Sequence, residues 1–110
     1  MKRENRILKR PEFDEIIRNH PFVRSKNYVI HYREGITDHA RIGIAVGKKN
    51  GCAVTRNRIK RQIRSMINTE LDLNKSIDMV IIVRASYDVS RFHSNKDELH
   101  SSLTKIGDHN

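Results

Sequence analysis

The chain predicts an α+β fold, a small two-layer α/β sandwich in the order α-β-β-(β)-α-β-α, and three observations predict it. Apolar residues recur at helical spacing in three places, around Phe13, Ile59 and Leu103. Runs rich in β-branched and aromatic residues stand between them, at residues 28–32, 41–46 and 79–83. The 110 residues, 36% hydrophobic and 32% charged, suffice for one core and one domain over residues 1–110. Helices and strands interleaved on that scale pack as helices on a sheet.

The elements follow in order. Residues 1–6 read as a loose basic arm. Pro11 suits the first turn of a helix, where its missing N–H costs nothing. Phe13, Ile16 and Ile17 continue that helix to about Asn19, and His20-Pro21 ends it, because the residue before proline avoids the α region. Tyr28-Val29-Ile30-His31-Tyr32 is the first strand. Glu34 to His39 is polar and turn-like. In the second strand, Ile42, Ile44 and Val46 share one face and Gly43 and Ala45 the other, so the small face admits a close neighbour. Met79-Val80-Ile81-Ile82-Val83 is apolar on both faces, as a strand covered on both sides would be. Leu99, Leu103 and Ile106 mark a closing helix.

Charge narrows the function. Lys and Arg number 22 against 13 Asp and Glu, a formal net charge of +9. Such an excess favours a polyanionic partner without fixing a fold. Cys52 is the single cysteine, which excludes an intrachain disulfide and suits the cytoplasm. No apolar run approaches the roughly 18 residues of a membrane span. The basic start lacks the apolar segment of a secretory leader.

The charge is concentrated. From Arg56 to Arg64 there are five cations and no acid. Thr55 reads as the N-cap of a helix over about residues 56–68. On a helical wheel Ile59, Ile63, Met66 and Ile67 form one narrow stripe that faces the core. Asn57, Lys60, Arg61 and Arg64 fall roughly opposite and face outward. This is a poor design for a purely structural helix. Cations near a helix N-terminus oppose the macrodipole at about 0.3–1 kcal/mol each. Lys60 and Arg64 repel at i,i+4 with no acid between them. Phosphate reverses both penalties, since free backbone N–H groups and guanidinium forks suit its oxygens. Lys48 and Lys49, in a glycine-bracketed loop, extend the patch. The loop has neither Walker spacing nor the spacing of a GxxG clamp.

The stretch Arg41-Ile42-Gly43-Ile44-Ala45-Val46-Gly47-Lys48-Lys49, through Gly51 and Ala53-Val54 into Arg56-Asn57-Arg58-Ile59-Lys60-Arg61 and Arg64, resembles the signature of the bacterial ribonuclease P protein component. The likeness extends upstream to Leu8-Lys9 and Phe13 and downstream to Asp78-Met79-Val80-Ile81-Ile82-Val83-Arg84. Gly47, Ser65, Ile17 and His20 depart from it, standing where the family commonly has serine, glutamate, an aromatic and glycine.

The resemblance implies a left-handed βαβ crossover, the reverse of the general rule. It implies that an RNA subunit hydrolyses the phosphodiester with Mg2+ held by RNA and substrate, while the protein binds that RNA and the 5′ leader of precursor tRNA. It assigns RNA contact to Lys48, Lys49, Arg56, Asn57, Arg58, Lys60, Arg61 and Arg64. It places the leader in a cleft between the first helix and the sheet, with Phe13 and Ile17 on the helix. His31 and Tyr32 compete for the strand position in that cleft, because a slip of one residue swaps faces. The protein is expected to be monomeric without RNA.

The residues themselves agree with a non-catalytic role. The carboxylates Asp14, Glu15, Asp38, Asp78, Asp88, Asp97 and Glu98 are scattered, no zinc spacing exists, and the six histidines follow no pattern. No catalytic or metal-binding residue is therefore assigned to the protein. A ribosomal-type structured-RNA-binding protein is the alternative. A DNA recognition helix is disfavoured because strand-like residues, not a short helix, precede Thr55.

Overall fold

The strand Ile77–Val83 (β4) lies inside the sheet, and the rest of the fold is arranged around it. The computed structural model describes residues 2–7, 9–19 and 21–108. The family-like Leu8, the helix end expected at His20, and His109 lie outside the described residues. Before β4 come helix α1 (Arg10–Asn19), strands β1 (Phe22–Arg24), β2 (Tyr28–Glu34) and β3 (Arg41–Val46), and helix α2 (Ala53–Glu70); helix α3 (Phe92–Asp108) follows it. A third strand does precede α2, but it is β1, ahead of the two expected strands rather than after them. Three residues are too short to signal a strand by periodicity.

The strands lie in the order β1-β2-β4-β3. β2 pairs antiparallel with both β1 and β4, whereas β3 pairs parallel with β4 through the α2 connection. The sheet is therefore mixed, and β1 and β3 are its edges.

Alternation along β4 sorts the two faces. Met79, Ile81 and Val83 point into the main core with Tyr28 and Ile30 of β2, Ile42 of β3, the Ile59–Ile63–Met66–Ile67 stripe of α2, and Leu99, Leu103 and Ile106 of α3. Val80 and Ile82 point the other way, under Ile16 and Ile17 of α1. Helices cover both faces, which explains why β4 is apolar from Met79 to Val83. Each aliphatic side chain fully buried this way is worth roughly 1.5–3 kcal/mol relative to exposure.

Residues 2–6 are not loose. A 3₁₀ turn at Arg3–Asn5 leads into a parallel bridge between Arg6 and Ile42. The Ile7 N–H donates to the Ile42 carbonyl at 3.1 Å, and the buried Asn5 side chain donates to the Ala40 carbonyl at 2.7 Å. β3 is an edge strand with unpaired backbone groups, and the arm satisfies part of that edge. Charge pattern alone gave no hint of this docking.

Candidate nucleic-acid interface

The loop before α2 sets where the helix begins. Lys48–Asn50 form a 3₁₀ turn, and Gly51 takes φ 118°, which L side chains rarely adopt. Cys52 is then the extended N-cap, and the first helical bond runs from the Arg56 N–H to the Cys52 carbonyl at 2.9 Å. Thr55 is therefore not the cap. It lies in the first turn, and α2 runs from Ala53 to Glu70 rather than over 56–68. The reversal at Gly51 brings the chain into helical geometry three residues early. Its free N–H groups consequently belong to the first turn, ahead of Arg56. The Asn50 side chain fixes the loop by donating to the Arg84 carbonyl at 2.8 Å, leaving Lys48 and Lys49 exposed.

The apolar stripe is as expected: Ile59, Ile63, Met66 and Ile67 are the buried residues of α2. The polar side is graded. Asn57, Arg58 and Arg61 are exposed, whereas Arg56, Lys60 and Arg64 are half-buried. Arg64 does not simply point outward. It leans over the edge of β3 and lines a recess of about 130 Å³ with Arg6, Phe13 and Gly43. Burial, reinforced by the nearby Arg6 charge, pulls the Arg64 pKa down. Two cations share this corner with no acid between them. Residues 39–69 contain no Asp or Glu. Among the described residues, none of Lys48, Lys49, Arg56, Arg58, Lys60, Arg61 and Arg64 forms an ion pair. The Nε donors of Arg6 and Arg56 are buried and have no acceptor among the described residues.

The recess opens toward a groove between α1 and the sheet. Strand pairing defines its floor. Arg24, Val29, Ile82 and Ala45 form one row across the four strands, and Phe22, His31, Val80 and Gly43 form the next. α1 crosses above the second row, with Phe13 on Gly43 and Ile16 packed against Val80. Beside it is a groove of about 380 Å³ lined by Ile7, Arg10, Phe13, Ile17 and Ala45 among others. Phe13, Ile17 and His31 therefore lie on this face. Tyr32 does not. It packs against the main core, because Tyr28 and Ile30 face that core and residue 32 alternates in phase with them. The register places His31 on this face, and its buried Nδ1 has no partner among the described residues. The sequence reading missed Val29, Ile82 and Ala45 of the floor, and Arg6 and Arg24 at its margins. Period-two alternation carries that signal once the strand pairing is known.

The opposite flank of α1 carries a cluster of acids, Glu12 and Glu15 with Asp78 of β4, while Asp14 lines the groove beside Arg10. Fully buried Asp78 accepts from Arg33 at 2.9 Å and Arg41 at 2.8 Å. Arg41 also reaches Glu12 at 2.6 Å, and Arg33 reaches Glu15 at 3.3 Å. Hydrogen bonds to Asp78 and Glu12 push the Arg41 pKa further up, so it stays charged. This cluster fastens α1 to the sheet and uses up its own carboxylates. Among the described residues, no group of three or more His, Cys, Asp or Glu side chains is placed to hold a metal ion.

An α+β domain that sets an unpaired basic helix beside a groove under a short amphipathic helix is, in class, a nucleic-acid-binding protein. The family model described as Ribonuclease P matches residues 1–107, and the chain belongs to the ribonuclease P protein family. It is 42% identical over 108 residues to the ribonuclease P protein component of Mesoplasma florum, covering 96% of this chain and 98% of that one. It is 35% identical to that of Streptococcus pyogenes serotype M5, covering 94% and 87%. Among solved structures, the Staphylococcus aureus RNase P protein superposes with a TM-score of 0.80 at 28% identity, covering 93% of this chain and 94% of that one. The Thermotoga maritima protein superposes with a TM-score of 0.76 at 25% identity, covering 91% and 96%.

Proposed function

We propose that this chain serves as the protein subunit of a ribonuclease P ribonucleoprotein in which the RNA subunit carries out hydrolysis and the protein holds precursor tRNA by its 5′ leader. The observation that carries this reading is the unneutralised basic face of α2 running into the groove beside α1. Its exposed members, Arg58 and Arg61, with Lys48 and Lys49 on the adjoining loop, suit the phosphates of a folded RNA. Arg6 and Arg64 stand where the helix meets the groove, and a backbone phosphate between them would relieve their mutual repulsion. The groove floor is apolar, which suits the bases of an extended single strand.

Among the described residues, no cluster of three or more metal-ligating side chains stands at the groove to support hydrolysis by the protein. Asp14, the carboxylate that lines the groove, pairs with Arg10 at 3.7 Å, and Glu12, Glu15 and Asp78 are held by Arg33 and Arg41. They do not fit Mg2+, and in this reading the ions are held by RNA and substrate. Purified protein freed of RNA, mixed with precursor tRNA and Mg2+, should cut nothing, and adding the RNA subunit should start cleavage at the leader junction. Cleavage that survives removal of all RNA would overturn the assignment. In this reading the protein works in the cytoplasm and is a monomer until it meets its RNA.

A further inference from the structure

The groove is poor in open aromatic surface. Phe13, its one aromatic ring, lies on Gly43 and is half-buried. The ring with a free face is Phe22, 55% exposed at the start of β1. Single exposed apolar residues are common and need no explanation. Phe22 differs in three respects. It is held rather than loose: its ring sits 5.2 Å from that of His31, tilted by 43°. It shares the sheet face of the groove, because Phe22 pairs with His31 in the row that α1 crosses. It is also flanked by charge. Arg24 is two residues on and shares the face, since the intervening Val23 turns into the main core. Arg24 is exposed and forms no ion pair among the described residues. Side chains two apart on a strand are about 6.5–7 Å apart, comparable to the reach of one nucleotide from base to phosphate.

We propose that β1 carries a stacking subsite at the end of the groove, where Phe22, backed by His31, takes one base of the single-stranded leader and Arg24 takes the adjoining phosphate. The proposal rests on the reading that the leader occupies the groove, and it adds where one nucleotide is gripped. Stacking tolerates any base, so the subsite would sense that a nucleotide is present rather than which one.

The chain has no tryptophan, so Phe22→Trp places a single reporter on the subsite. In the reconstituted holoenzyme, precursor tRNA should quench its emission and mature tRNA should not. An abasic nucleotide at one leader position should restore the emission. Phe22→Ala should weaken affinity for precursor tRNA by roughly five- to a hundredfold, on the scale of one stacked base. Affinity for mature tRNA should be unchanged, and Arg24→Ala should act on the same substrate. If the unmodified enzyme discriminates precursor from mature tRNA and Phe22→Ala leaves that discrimination intact, the subsite is overturned and the leader reading stands. If the unmodified enzyme binds both RNAs equally, the leader reading itself falls and the subsite with it.

Discussion

Gly43 lets the groove exist. A methyl group built there would lie within 2.6 Å of Cζ of Phe13. Real side chains do not come so close, so any larger residue must displace the ring that walls the groove. Gly43→Ala should destabilise the domain by about 1–3 kcal/mol, the usual range for overpacking. Phe13→Ala should cost less in that background than alone, because the ring has already been displaced. Urea unfolding of the two single variants and the double variant measures this coupling. Additive costs would mean that the two residues do not touch. The small face of β3, Gly43 with Ala45, was readable from sequence because alternation separates it from Ile42, Ile44 and Val46. The residue that fills it was not readable, since no local rule brings the Phe13 ring of α1 over β3. His31 and Tyr32 show the same boundary. Alternation says that they face opposite ways, and only the pairing to Val80 and Met79 says which way each faces.

At the scale of the element, α2 separates stability from binding along one helix. Ile63 is fully buried, and Ile63→Ala should cost about 2–5 kcal/mol of stability. Arg61→Ala with Arg64→Ala should leave unfolding cooperative and stability equal or slightly higher. Arg61 is exposed, and Arg64 carries a charge that burial and Arg6 both disfavour. RNA affinity should fall instead. If about five phosphates are neutralised, the unmodified protein should lose roughly a few hundredfold in affinity between 50 and 200 mM salt. The double variant should show a shallower dependence, by about one unit of log–log slope per lost phosphate contact. An unchanged slope with weaker binding would mean that the two arginines do not meet phosphate. The apolar stripe was legible because four residues at i, i+4, i+7 and i+8 leave no alternative face. The helix start was not. Thr55 has the chemistry of a cap, and the competing signal was Gly51, whose positive φ admits the chain to the helix three residues sooner.

Across the whole molecule, the N-terminal arm connects the pieces, and it is held by a histidine whose pKa is raised. His39 Nε2 meets the Glu4 carbonyl at 2.8 Å and Nδ1 meets Asp38 at 2.9 Å. Only the imidazolium can donate to both acceptors at once. The Asp38 hydrogen bond raises the His39 pKa above its ordinary value, with the Glu4 carbonyl adding to it, and the same bond lowers that of Asp38. The raised histidine pKa gives stability that is fully present below the unfolded value of about 6.5 and lost as pH rises through the folded pKa. The lowered aspartate pKa gives stability present above its unfolded value of about 3.9 and lost as pH falls through the folded pKa. The arm should therefore dock most firmly between those two folded pKa values and loosen on the alkaline side of His39. The Ile7 amide, bonded to the Ile42 carbonyl, reports this directly. Its hydrogen-exchange protection factor, corrected for intrinsic rate, should step down as pH rises through the histidine transition, while amides of β4 keep theirs. His39→Ala should remove the step and leave the lower protection at every pH. A protection factor for Ile7 that stays level across the transition would mean that the edge pairing on β3 alone retains the arm. Because Arg6 rides on that arm beside Arg64, the corner where the basic helix meets the groove would then be equally firm at every pH.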